Sequence, residues 1–208
     1  MLPQHWQLIS QLADAGARVE AAQYGLAPKY TYREAYPFVT AVYRDLLSDL
    51  DAGQVTIMGD SAGPGSALGV AQSLVGSGLP QPARVVLISP WLDLTLTNPA
   101  IPEVEARDPF LTTSRLLAAG RGWAGGDDPA QPRLSPVNGP FAPLAPIDVY
   151  IGTRDLFYPD VLRLEERAAA EGAAVKVIVC DGAVHAYPLV PAPEGRAAAR
   201  AIVRSVAS

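Results

Sequence analysis

The stretch Val55-Thr56-Ile57-Met58-Gly59-Asp60-Ser61-Ala62-Gly63 decides how the rest of the chain is read. A short apolar, β-branched segment runs into Gly-x-Ser-x-Gly and on into a small-residue helix predicted over residues 67–74. That is the strand, sharp turn and helix that lift a serine hydroxyl clear of a sheet. Gly59 and Gly63 are expected to be glycine for steric reasons. The turn forces the serine into a strained backbone, and side chains two residues to either side would meet the neighbouring strand and helix. Ser61 is the candidate nucleophile.

Composition bounds what surrounds it. A chain of 208 residues fits one domain, 1–208, with a sizeable core, and 49% hydrophobic against 18% charged is a globular balance. The net charge of −5, with no block of like charges, argues against nucleic acid or an anionic membrane surface as a partner. The single cysteine, Cys180, cannot form an internal disulfide; at a strand end it reads as a small buried hydrophobe, in keeping with a reducing cytoplasm. Met1-Leu2-Pro3-Gln4-His5-Trp6 lacks a basic region ahead of an apolar core, and no apolar run reaches about 18 residues. The expectation is a soluble, cytoplasmic protein with no encoded export signal and no membrane span.

Helices and strands alternate along the chain. Residues 4–15 place Trp6, Leu8, Ile9 and Leu12 at near-helical spacing, Gly16 stops the helix, and residues 17–24 can extend as a strand. A long helix over 31–50 carries Ala35, Phe38, Val39, Val42, Tyr43, Leu46 and Leu47 on one side, with Pro37 marking a late start or a kink. Residues 83–89 are a continuous apolar run suited to a central parallel strand. From 90 to 144 prolines and paired glycines suggest a long surface excursion broken by a helix near 112–123, of the kind that walls a substrate site. Strands over 147–152 and 174–180 then alternate with helices over 159–171 and 193–206. This order predicts an α/β fold, a mostly parallel sheet with helices on both faces.

A serine hydroxyl is a poor nucleophile near neutral pH and needs a positioned base, itself oriented by a carboxylate. Of the two histidines, His5 lies in an amphipathic helix ahead of the elbow, whereas His185 follows the last strand in Gly182-Ala183-Val184-His185. Only His185 preserves the order serine, acid, histidine that accompanies this elbow. The acid belongs just past the strand preceding the histidine strand, which favours Asp155, with Asp181 as rival. Asp148 falls inside a strand, and Asp160 suits the first turn of a helix. The Ala62 amide at the helix start is one candidate donor to the oxyanion. Trp91, Leu92, Phe110, Phe157 and Tyr187 fall on loops expected to approach Ser61, so an apolar substrate pocket is anticipated. Asp60 either orients the elbow or is an ordinary helix-entry carboxylate.

Several segments, in order, resemble the hormone-sensitive-lipase-like esterases, a branch of the α/β hydrolases. Tyr24-Gly25-Leu26-Ala27-Pro28 is similar to that family's Tyr-Arg-Leu-Ala-Pro, and Gly59-Asp60-Ser61-Ala62-Gly63 to its nucleophile elbow. Ser89-Pro90-Trp91-Leu92-Asp93-Leu94, Asp108-Pro109-Phe110-Leu111, Ser135-Pro136, Gly152-Thr153-Arg154-Asp155 and Gly182-Ala183-Val184-His185 follow as the family has them. The resemblance implies an α/β-hydrolase fold with Ser61, Asp155 and His185 as nucleophile, acid and base. It also implies hydrolysis of short- or medium-chain carboxylic esters, as small-molecule substrates, without metal or organic cofactor. The alternatives are an amidase or peptidase on the same scaffold, and a catalytically impaired remnant acting as a binding protein. The residues fix no oligomeric state; a homodimer is compatible with them.

Two departures from the family stand out. Gly25 replaces an arginine, and the His-Gly-Gly-Gly segment that supplies further oxyanion amides is absent. Residues 3–12 resemble the helix that follows that segment, so the family's first strands and N-terminal cap would lie upstream. Either the natural start lies before Met1, or the chain is a decayed, weakly active product. In the family's sheet the strand before His-Gly-Gly-Gly separates residues 17–24 from the elbow strand. The expectation is a costly gap unless the two strands close up or another segment fills it.

Overall fold

Arg84-Val85-Val86-Leu87-Ile88 has no polar face, and the structure places it where none is needed. The computed structural model describes residues 3–207; Met1, Leu2 and Ser208 lie outside the described residues, and so does the part of the export-signal reading that rests on Met1 and Leu2. Four strands, β1 (Thr56–Asp60), β2 (Arg84–Ile88), β3 (Ile147–Gly152) and β4 (Val175–Cys180), pair in sequence order, all parallel. Along β2 the side chains alternate between two cores: Val85 and Leu87 on one face, Val86 and Ile88 on the other. A strand covered on both sides gains from apolar residues at every position.

Between and around the strands run α1 (Pro3–Asp14), α2 (Tyr32–Leu46), α3 (Ala62–Ser77), α4 (Ile101–Glu105), α5 (Thr113–Ala124), α6 (Tyr158–Ala170) and α7 (Pro193–Val206). Residues of α2, α3 and α6 fill the larger core, and α1 and α7 the smaller one on the opposite face. The start of α2 is fixed by its sequence. Thr31 accepts from the Arg33 amide at 3.2 Å while Glu34 reaches back to the Thr31 amide at 2.7 Å, a capping box. Pro37 lies inside this helix and does not mark its start.

Two expectations are corrected. Residues 17–24 do not form a strand; among the described residues they make no ladder with β1, and the Ala17 amide turns back to donate to Leu12 O at 3.0 Å. An extended segment becomes a strand only by pairing with a neighbour about 5 Å away, and among the described residues this one pairs with no strand. Among the described residues no strand pairs with β1 on the side away from β2, so β1 is an edge strand, half-buried along its whole length where β2 and β3 are almost wholly buried. The stretch from 90 to 144 lies only partly on the surface. Leu92, Leu94, Ile101, Leu134, Val137 and Phe141 are buried, most of them in the larger core, while Phe110 stays exposed. Among the described residues no helix is long and apolar enough to cross a membrane.

Candidate active site

Ser61 stands at the junction of β1 and α3 with φ 62° and ψ −110°. A non-glycine residue held there costs on the order of 1–3 kcal/mol, so the surroundings must over-determine it. They do so through its backbone: the Ser61 amide donates to Ile88 O at 3.0 Å, and the Trp91 amide donates to Ser61 O at 2.9 Å. The sharp turn leaves Ser61 half-buried above the carboxyl ends of the strands.

The sequence candidates, 124 residues apart, meet there. His185 Nε2 lies 2.9 Å from Ser61 Oγ, and His185 Nδ1 lies 3.0 Å from Asp155 Oδ2. Asp155 is fully buried, and its other oxygen accepts from the Phe157 amide at 3.1 Å. With Nδ1 donating to the carboxylate, Nε2 is left as the acceptor for the serine proton. The rival Asp181 takes no part; its carboxylate accepts from Thr153 Oγ1 at 2.9 Å. Asp148 pairs with Arg84, and Asp160 sits in the first turn of α6. His5 Nε2 lies 3.2 Å from Asp60 Oδ2, tying α1 to the residue before Ser61. Ala62, the first residue of α3, has no acceptor for its amide within the helix.

The loops that carry acid and base are stitched to each other and to the sheet. Arg154 N donates to Ala183 O at 3.0 Å, and Gly182 N to Thr153 Oγ1 at 2.9 Å. A Cβ on Gly152 would lie 2.2 Å from Ala183 O, so only glycine allows the two loops to approach this closely. Ser89, fully buried and at φ 48°, accepts the Ala186 amide on its Oγ at 2.8 Å and anchors the histidine loop to the end of β2. Asp108 accepts the Leu156 amide at 2.8 Å, beside Asp155, and the amides of Phe110 and Leu111 at 2.8 and 3.0 Å. Ser89 and Asp108 entered the sequence reading only inside longer motifs; a serine straight after an apolar strand and an Asp-Pro turn were the signals available.

Two expectations about the site change. Gly63 has nothing within 4 Å of where its Cβ would be, whereas at Gly65 a Cβ would lie 2.4 Å from Trp91 O; the close packing falls two residues later than the motif suggests. Trp91, Leu92, Phe157 and Tyr187, expected to line a pocket, are buried in the cores, so they support the site from beneath; Phe110 alone of that group is well exposed, at 61%. Gly25 leaves room for the Tyr30 ring, which comes within 2.2 Å of where a Cβ would stand. A cleft of about 570 Å³ beside α6, lined by Asn98, Pro159, Arg163 and Glu166 among others, includes none of Ser61, Asp155 and His185. Behind it lies fully buried Asp160, whose carboxyl is pushed up to about 6 by burial, with Asp93 adding to the rise against the Asn98 hydrogen bond. Among the described residues no cluster of histidine, cysteine and carboxylate side chains could hold a metal ion.

The sequence profile of the alpha/beta hydrolase fold family matches residues 1–189. A crystal structure of an esterase from the bacterial hormone-sensitive lipase family superposes with a TM-score of 0.93 at 30% identity, covering 98% of this chain and 70% of that one. The chain belongs to the hormone-sensitive-lipase branch of the α/β hydrolases. Within this family it is 36% identical to an acetyl-hydrolase of Streptomyces hygroscopicus over 173 residues, 82% of this chain and 58% of that protein. It is 32% identical to an esterase of Acinetobacter venetianus over 176 residues, 83% of this chain and 57% of that one. The chain thus spans less than two thirds of the length of these curated relatives.

Proposed function

We propose that this chain carries the nucleophile, acid and base of a serine carboxylesterase acting on short- to medium-chain carboxylic esters. The observation that carries this reading is the hydrogen-bonded series from Ser61 Oγ through His185 to buried Asp155, at 2.9 and 3.0 Å. His185 Nε2 takes the serine proton as Oγ bonds to the ester carbonyl carbon, and the carbonyl π electrons move to oxygen. As that oxyanion collapses, the alcohol leaves with the proton from His185, and Ser61 is acylated. Water, deprotonated by the same nitrogen, then attacks the acyl carbon; collapse frees the carboxylic acid and returns the proton to Ser61. Asp155 holds the imidazole tautomer and offsets the charge it gains. The Ala62 amide, at the positive end of α3, faces the oxyanion.

No His-Gly-Gly-Gly segment is present in these residues to add further donors. In serine hydrolases the loss of one oxyanion donor typically lowers turnover by about 10²–10³. Phe110, on the loop that Asp108 braces, provides exposed apolar surface for an acyl or alcohol group, and the 90–144 segment forms that wall of the site.

The test is labelling with a fluorophosphonate probe, combined with hydrolysis of p-nitrophenyl acetate and of a matched anilide. Ser61 is labelled, the ester turns over faster than the amide, and Ser61→Ala abolishes both activities. Folded protein whose Ser61 stays unlabelled points to a binding role instead, and faster amide cleavage points to an amidase or peptidase.

A further inference from the structure

Two hydrogen bonds at the two nitrogens of an imidazole fix its ends but leave the ring free to roll about the line between them. At His185 a third contact restrains that roll. The Phe157 ring meets the imidazole nearly edge to face, with centroids 5.5 Å apart and planes at 74°. The same residue gives its amide to Asp155 Oδ1 at 3.1 Å, so one side chain and its backbone hold base and acid together. Trp91 stacks behind it, with centroids 5.8 Å apart and planes at 12°, and the Trp91 amide donates to Ser61 O at 2.9 Å.

Both aromatics are fixed in turn. Phe157 is fully buried, and the Trp91 indole Nε1 donates to Asp93 O at 2.9 Å. The Trp91 ring also lies against Gly120, where a Cβ would meet it at 3.4 Å. We propose that the Trp91–Phe157 stack is the positioning element that orients His185 toward Ser61 and Asp155 at once. The proposal rests on the esterase reading for its kinetic consequence but not for its geometry. Because Phe157 is buried and cannot touch substrate, its removal lowers kcat and spares KM. An edge-to-face pair contributes roughly a two- to tenfold effect on an equilibrium, and a displaced imidazole adds to that in the rate.

Phe157→Leu keeps the amide and an apolar side chain but removes the ring. On p-nitrophenyl acetate, kcat falls about tenfold with KM within about twofold. In proton NMR, the downfield resonance of the His185 Nδ1–H, assigned by its loss in His185→Gln, broadens or disappears in Phe157→Leu as the proton exchanges with water. Leu164→Ala, which truncates a fully buried leucine two turns along α6, lowers the melting temperature and leaves the resonance and kcat in place. Should Phe157→Leu fail to fold, Phe157→Met refills the volume with a flexible chain and carries the same expectation. A folded Phe157 variant with an unchanged resonance and kcat overturns the proposal, as does equal damage from Leu164→Ala. An inert wild-type protein would count against the esterase reading alone, because the resonance still reports the orientation of His185.

Discussion

Gly65→Ala perturbs the nucleophile from a distance. The added Cβ would lie 2.4 Å from Trp91 O, and ordinary contact begins at 3.4 Å, so something must move by about 1 Å. The obstructing atom is backbone and cannot swing aside as a side-chain tip could. The same peptide segment holds Ser61, since Trp91 N donates to Ser61 O at 2.9 Å, so the turn shifts with it. Overpacking of this kind costs about 1–3 kcal/mol, which for a chain of this size lowers the melting temperature by roughly 2–12 °C. A displacement near 1 Å at the reacting group costs about 10² in rate. Scanning calorimetry gives the first quantity, and the rate of fluorophosphonate labelling at Ser61 gives the second. Gly63→Ala is the control: its Cβ meets nothing within 4 Å, and alanine is the better helix former, so stability holds or rises by up to about 1 kcal/mol. A Gly65→Ala protein with wild-type melting and labelling would refute the reasoning, and so would a Gly63→Ala protein as damaged as the other.

Two further substitutions test the electrostatics. Asp155→Asn turns an amide nitrogen toward His185 Nδ1 or weakens that contact, favouring the tautomer that cannot accept from Ser61; kcat falls about 10⁴-fold with the fold intact by circular dichroism, and a loss under tenfold would exclude Asp155 as the orienting group. Asp160, with its carboxyl near 6 when folded and one oxygen without a partner, binds its proton more tightly in the native than in the unfolded chain. The native state therefore loses stability as pH rises from about 4 to 6, on the order of 3 kcal/mol in all. Urea denaturation should find Asp160→Asn gaining on the wild type across that window, and a constant difference between pH 4 and 7 would contradict it.

What the sequence made legible was what depends on local pattern. The run Ile147-Asp148-Val149-Tyr150-Ile151-Gly152 and the helix over 193–206 were expected with the bounds that α7 and β3 have, because apolar period and flanking prolines act over a few residues. The segment over 17–24 was misread for the opposite reason: its residues suit an extended backbone, but a strand is a property of two segments, and the second is not beside it. Asp155 and Asp181 follow adjacent strands, and only the packed loops reveal which of them reaches His185 Nδ1. Burial of Trp91 and Phe157 was hidden because proline- and glycine-rich composition marks a loop without saying which way its side chains turn.

The unpartnered edge of β1 bears directly on the nucleophile. Backbone groups of a parallel strand point alternately to its two sides, and the Ser61 amide is engaged with Ile88 O. Counting back by twos, Gly59 and Ile57 face β2, so the amides of Asp60, Met58 and Thr56 face outward. In deuterated buffer these three protons should trade with solvent quickly while Gly59 and Ile57 persist, giving an alternating record along five residues. Anything that lays a backbone against that edge would slow exchange at Asp60, one peptide from the reactive hydroxyl, making the outward amides a gauge of whether the open flank is occupied.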